Sequence, residues 1–344
     1  MKALRFILGI FFLQSIIYCA VLAPDKSLFP DRFSVFGNKI VDSRQQEVVF
    51  RGISAMDPIY HYFNGDDIVW GEDYYNRIKD WGADIIRLPI HPYYWREYGK
   101  EKCLQILDKV IDWAEKNKVY VYIDFHSIGF PPAEDYDGNF DGIYLTSVDE
   151  TSGFWETIAE KYKNNPVVAF YEIFNEPVYA GFCFSEDGRS TPADWLAWKQ
   201  VAEDLTKIIR RHDEHKPIII GGMYWAYDLS QALKDPLSDK NIIYAAHPYP
   251  GSSQYKSWDD AFGKIKEKYP VFVTEFGFER EGQKAENTYT GRGRYRDDIY
   301  NYLESRKISW TAWCFSDKWS PSLLKDKNYN PTEAGEFFRA QLRR

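Results

Sequence analysis

Val167-Val168-Ala169-Phe170-Tyr171-Glu172-Ile173-Phe174-Asn175-Glu176-Pro177 is a run of β-branched and aromatic residues that ends on Asn175 and Glu176 where proline stops it. Only Glu172 interrupts its apolar character, so it reads as a strand with both faces buried, as in a parallel sheet. Seven comparable runs lie around residues 48–54, 84–90, 119–125, 217–222, 242–246, 271–276 and 308–315. Amphipathic stretches alternate with them, among them Tyr74 to Trp81, Leu104 to Lys116, Phe154 to Tyr162, Trp195 to Arg211 and Trp258 to Lys268. Eight alternating strand and helix units predict an α/β fold, a single (β/α)8 barrel over residues 24–344. An open doubly wound sheet is the alternative, but no G-x-G-x-x-G loop follows any strand. Ahead of the first unit, Gly37-Asn38-Lys39 marks a hairpin that would floor the barrel.

Strict alternation would send Asn175 and Glu176 to opposite faces. If both serve one site, the strand must bulge or end there, which Pro177 favours. Glu172 shares the parity of Glu176 and is expected one layer lower inside the barrel, where a buried carboxylate requires a partner.

Of the 344 residues, 44% are hydrophobic, which is ample for one large core. Twelve Trp, 26 Tyr and 23 Phe exceed what a core usually needs, and flat apolar rings with polar rims suit sugars, although core packing explains many of them. Lys2 and Arg5 precede an apolar stretch from Phe6 to Ala23, which predicts a signal peptide over residues 1–23 and a secreted product; a retained membrane anchor is the competing reading. The net charge of −8, without basic clusters, argues against nucleic acid or an anionic membrane as partner. Beyond Cys19 in the expected signal peptide, the remaining Cys103, Cys183 and Cys314 are an odd number without metal-ligand spacing and read as small buried hydrophobes. No cofactor or metal is expected.

A barrel of this kind carries its chemistry at the C-terminal strand ends. Those ends hold Arg87 after strand two, His126 after strand three, Asn175 and Glu176 after strand four, His247 and Tyr249 after strand six, Glu275 after strand seven and Trp313 after strand eight. The run Val271-Phe272-Val273-Thr274-Glu275-Phe276-Gly277 mirrors the opening stretch, so a second strand delivers a second glutamate. Two facing carboxyl groups are what glycosidic-bond cleavage requires, one to protonate the leaving oxygen and one to attack or to activate water. Each residue alone has a plainer reading: a surface glutamate, an ion-paired arginine, a histidine satisfied in the core, a tryptophan packed in the barrel.

The runs Tyr171 to Pro177, Phe272 to Gly277 and Ile308 to Trp313 resemble glycoside hydrolase family five, most closely its secreted bacterial cellulases. The likeness extends from Gly37-Asn38-Lys39 through Ser316-Asp317-Lys318. It implies a retaining double displacement in which Glu176 is the acid/base and Glu275 the nucleophile. It further implies that Asn175 binds the sugar 2-hydroxyl, Arg87 and Tyr249 bond the nucleophile, His126 and His247 flank the site, Trp313 underlies the cleaved sugar and Lys318 reaches sugars farther toward the non-reducing side. The substrate it implies is a β-linked polysaccharide, β-1,4-glucan or mixed-linkage β-glucan, acted on by a monomer without a stable membrane partner. Mannanase, xyloglucanase and exo-β-1,3-glucanase occur on the same scaffold, and a noncatalytic glycan-binding barrel is the rival of another class.

Aromatics on the expected loops (Trp70, Tyr93, Tyr94, Trp95, Phe130, Phe182, Phe184, Trp225, Trp258 and Trp319) suggest a cleft for several sugars and endo action. His61 and His91 are further candidates for its lining. His212 and His215 have metal-like spacing but read as a solvated helix end crowded by Arg210, Arg211 and Lys216. The chain ends soon after strand eight, so no appended carbohydrate-binding module is expected.

Overall fold

The computed structural model describes residues 22–64, 68–179, 190–282, 289–292 and 294–343. Most of the expected signal peptide, residues 1–21, lies outside them, as do Phe182, Cys183 and Phe184. Eight strands close a barrel in which each is hydrogen-bonded to its sequence neighbours and all pairs are parallel. In order they are Arg51–Ser54, Ile85–Ile90, Tyr120–Phe125, Val168–Glu172, Ile218–Gly221, Ile242–Ala245, Val271–Phe276 and Ser309–Ala312. All eight fall within the runs read from the sequence. Helices Glu72–Asp80, Lys100–Lys116, Val148–Tyr162 and Pro192–Arg210 pack outside, each presenting an apolar stripe. The stretch from Trp258 to Lys268 is helical as expected, widened to π-helical geometry at Asp259–Gly263 and continued as α-helix at Lys264–Lys266.

The barrel interior has two unlike halves. The lower half is an apolar plug of Phe50, Tyr120, Phe170, Ile219, Ile243 and Phe272, closed from below by Phe33 and Ile40. Ser34–Phe36 and Lys39–Val41 form the antiparallel hairpin beside it. Phe33, Phe50 and Tyr120 meet edge to face at centroid separations of 4.8 to 5.9 Å. The upper half holds Arg87, Asp124 and Glu172, all fully buried. Apolar residues rigidify the base, and polar ones line the end where the loops gather.

The two glutamates leave their strands by irregular backbone. Strand four ends at Glu172, and Glu176–Pro177 starts a new pairing, with Ile128–Gly129 from the loop after strand three. Asn175 donates its backbone N–H to Phe125 and Glu176 to Ser127. Strand four therefore ends before its alternation could separate Asn175 from Glu176. Strand seven shifts register against strand eight between Val273 and Phe276, around Glu275.

Gly52, in strand one, sits where a Cβ would lie 2.1 Å from the Ile85 carbonyl oxygen and 2.9 Å from Thr311 Cγ2. Gly52→Ala is expected to destabilise the barrel by about 1–3 kcal/mol or more, because backbone rather than a flexible side chain must yield. Gly138→Ala, whose Cβ meets nothing within 4 Å, is the control. Thermal unfolding of both variants checks this, and equal melting points would contradict it.

Candidate active site

Arg87 organises the upper barrel. Its Nε donates to Glu172 Oε2 at 2.6 Å, its Nη1 to Glu275 Oε1 at 2.5 Å and its Nη2 to Asn175 Oδ1 at 2.9 Å. Nη2 also lies 3.0 Å from Asp124 Oδ2. The partner expected for buried Glu172 is thus Arg87, which carries the same guanidinium up to Glu275. Burial would favour a neutral arginine, but the surrounding carboxylates hold Arg87 well above its ordinary range.

Glu275 receives a second donor, the Tyr249 hydroxyl, at 2.9 Å from Oε2. Burial pushes the Glu275 carboxyl upward, and Arg87 and Tyr249 oppose that shift. Among the described residues Glu176 bonds no arginine or lysine, and Arg87 opposes the rise of its pKa without a direct bond. Burial first, and the charge of Glu275 second, drive it well above the carboxylate range. Its Oε1 lies 2.9 Å from His247 Nδ1, and His247 Nε2 lies 3.0 Å from Thr274 Oγ1. Burial, reinforced by Arg87, pulls His247 well below its usual range, so the ring is neutral and carries one N–H. Two proton arrangements then fit one geometry. Either Glu176 donates to Nδ1 while Nε2–H donates to Thr274, or Nδ1–H donates to ionised Glu176 while Nε2 accepts from Thr274.

His126 Nδ1 is 2.6 Å from Asp124 Oδ2. Burial and the neighbouring His91 lower the His126 pKa, and burial raises that of Asp124. The His126 ring lies parallel to Trp313, 5.3 Å away, and Trp319 continues the aromatic surface at 6.1 Å and 14° from Trp313. Tyr60 follows Trp319 at 5.4 Å, and Tyr94 follows Tyr60 at 5.2 Å. Lys318 stands exposed on the same loop, its backbone N–H donating to Ser316 Oγ.

Among the described residues, Glu176, His247 and Glu275 form a group whose donor atoms all lie within 4.8 Å of one another, close enough for a cation. Each is already engaged. Arg87 meets Glu275, and both His247 nitrogens have partners. This arrangement suits one protonated and one ionised carboxyl group better than metal ligation.

The structure gathers Arg87, His126, Asn175, Glu176, His247, Tyr249, Glu275 and Trp313 at one barrel mouth, with Lys318 at its rim. Asp124 and Tyr144 belong there too and escaped the sequence reading, Asp124 because it precedes the strand end and Tyr144 because it lies deep in a loop. The Asp124-x-His126 spacing was the available signal for the former. His91 reaches the mouth, with its ring 4.6 Å from that of His126, whereas His61 is buried and bonded through Nε2 to the Ile68 carbonyl. Several expected cleft aromatics pack inward instead: Trp95 on Phe154 and Phe130 on Tyr179 are buried, while Trp70 on Trp113 and Trp258 on Tyr302 are half-buried against the core. His212 and His215 stay at a solvated helix end.

The family model for Cellulase (glycosyl hydrolase family 5) matches residues 41–319. Cellulase CelDZ1 of Thermoanaerobacterium sp is 30% identical over 77% of this chain and 69% of its own length. Endoglucanase E-5 of Thermobifida fusca is 28% identical over 83% and 56%. The chain thus spans between half and about two-thirds of these relatives. Among solved structures, the β-glucanase SdGluc5_26A of Saccharophagus degradans, also solved with cellotetraose, superposes with a TM-score of 0.81 at 33% identity, covering 91% of this chain and 93% of that one. The catalytic domain of Thermobifida fusca endoglucanase Cel5A superposes with a TM-score of 0.71 at 26% identity, covering 91% and 97%.

Arg87→Met is expected to cost about 3–5 kcal/mol of stability at pH 7, because buried carboxylates lose their cation. Without it the folded pKa values of Asp124 and Glu275, already raised by burial, rise further. Folding then takes up protons, and stability lost at neutral pH returns as pH falls. Denaturation across pH 4–7 checks this, and a deficit that widens toward pH 4 would contradict it.

Proposed function

The chain belongs to glycosyl hydrolase family 5, and from that premise we propose that it is a retaining endo-β-1,4-glucanase whose nucleophile is Glu275 and whose acid/base is Glu176. The observation that carries the reading is the pair itself. Oxygens of the two carboxyl groups lie within 4.8 Å across one mouth, close to the roughly 5–5.5 Å of retaining enzymes and short of the roughly 6.5–9.5 Å that leaves room for an inverting water. Arg87 and Tyr249 hold Glu275 toward its ionised form, while burial and Glu275 hold the proton on Glu176.

In the first step Glu275 attacks the anomeric carbon as Glu176 passes its proton to the departing glycosidic oxygen. The Glu275 charge vanishes into the ester, which lowers the proton affinity of Glu176. In the second step ionised Glu176 takes a proton from water, whose oxygen attacks the same carbon and releases Glu275. The neutral His247 ring bridges Glu176 and Thr274 and holds the acid/base carboxyl in place through both steps. Asn175, fixed by Arg87, faces the sugar 2-hydroxyl, and Trp313 supplies the apolar floor. The Trp319, Tyr60 and Tyr94 rings extend that floor, which supports a cleft for several sugars and endo action, with Lys318 reaching sugars at its rim.

Mixed-linkage β-glucan is the second substrate we propose, favoured by the likeness to a β-glucanase at 33% identity. The apolar run from Phe6 to Ala23 supports export, and no described helix is long and apolar enough to cross a membrane. We read the protein as a monomer. Reducing-sugar release from carboxymethylcellulose, barley β-glucan, lichenan, glucomannan, mannan and xyloglucan tests the assignment, and activity confined to the last three would overturn it.

Glu275→Gln is expected to abolish turnover with the fold intact, and a 2-fluoro glycosyl inhibitor to label Glu275. Mass-spectrometric labelling at Glu279 would move the nucleophile. Glycosylation needs Glu275 ionised and Glu176 protonated, so kcat/KM falls both as pH drops through the first pKa and as it rises through the second. With an activated aryl glycoside, Glu176→Gln should erase the alkaline limb and spare the acid one. Added azide should speed the second step of Glu176→Ala. A surviving alkaline limb would reassign the acid.

A further inference from the structure

The loop after strand three carries an aromatic pair beside the site. It is tied to the acid/base strand, since Ile128 pairs with Glu176 and Gly129 with Pro177, and Gly129 also pairs with Tyr136 on the way back. Ser127 Oγ donates to the Tyr144 carbonyl at 2.6 Å, fixing the far end of the loop. The Tyr144 ring lies 5.5 Å from His91, 6.1 Å from His126 and 6.1 Å, edge to face, from Phe140. Phe140 is itself 72% exposed.

The hydroxyl of Tyr144 differs from those of four other barrel tyrosines. Tyr249 bonds Glu275, Tyr122 bonds Thr311, Tyr74 bonds the Phe315 carbonyl and Tyr171 bonds Asp213. Tyr144 makes no hydrogen bond through its hydroxyl to any described residue. Tyr144 is only partly buried at the mouth, which leaves its hydroxyl open to a ligand entering there. Burial, then the charge of Glu176 ahead of that of Glu275, raise its pKa, which puts it in electrostatic reach of both carboxyl groups.

We propose that Tyr144 is a substrate-contacting residue on the leaving-group side of the cleavage point, its hydroxyl bonding a hydroxyl of the departing sugar and the Phe140 ring forming the apolar edge beside it. The assignment rests on the glucanase reading. The side follows from one placement: the loop is stitched to Glu176, which serves the leaving oxygen.

Tyr144→Phe removes only the hydroxyl, so the melting temperature is expected to stay put while kinetics change. One neutral hydrogen bond predicts a fall of roughly 3- to 10-fold in kcat/KM on cellopentaose. An aryl β-cellobioside, whose departing group carries no sugar hydroxyl, should show a clearly smaller fall. Transfer of the glycosyl group to added cellobiose, relative to water, should also decline, because the acceptor sugar occupies the same place. An equal fall on both substrates, or none on cellopentaose, overturns the assignment. Wild-type protein inactive on both would overturn the glucanase reading and this inference with it.

Discussion

One guanidinium, fully buried in the upper barrel, meets three carboxyl groups and an amide. Most of the site hangs on that cation. Strand two supplies it and strands three, four and seven each contribute a partner, so their tops are held in register by charge-assisted bonds as well as by the barrel ladder. Glu172 is the lower anchor. It takes Nε and leaves the two terminal nitrogens aimed upward at Glu275, Asn175 and Asp124. A surface arginine would need none of this and would orient nothing. Buried, it must be surrounded by acceptors, and those acceptors are the chemistry.

The same cation makes two glutamates unlike. Arg87 and Tyr249 both serve Glu275, while Glu176 faces a neutral histidine. Two carboxyl groups so close cannot both be ionised cheaply, and the donor placement decides which one keeps the proton. His247 completes the division because Thr274 on its far side can either give or accept. The ring is thus anchored on both sides, and burial keeps it neutral beside Glu176.

What the sequence revealed and what it hid divide along physical lines. Eight strands were legible because burial on both faces imposes unbroken apolar runs, and the break at Asn175 was legible because alternation and Pro177 conflict with a continuous strand. The partner of Glu172 was not, since Arg87 lies 85 positions away and only closure of the barrel brings them together. Parity placed Glu172 inside but could not say what it met. The cleft aromatics were harder. Trp95 and Phe130 sit in the right loops yet turn toward the core, and a loop has no period from which orientation can be read. Tyr144 illustrates the converse, a residue in an irregular segment that the small sheet beside Glu176 brings to the mouth.

The upper barrel also carries costs that the lower half must absorb. Ser54 Oγ, Asp124 Oδ1 and Glu172 Oε1 are buried without a hydrogen-bond partner, all three on strands next to or touching Arg87. Each such atom costs on the order of 1–3 kcal/mol, a loss that a purely apolar barrel would avoid. Below them Phe33, Phe50, Tyr120, Phe170 and Phe272 fill the interior with large rings, and full burial of one such side chain contributes about 1.5–3 kcal/mol. The two terms are of the same size, so a few aromatic residues at the base offset a few unsatisfied oxygens at the top. The division of the interior is therefore not incidental. A rigid apolar base allows the other end of the same strands to hold acids close together without partners for every atom, and that is the end where a sugar has to be met.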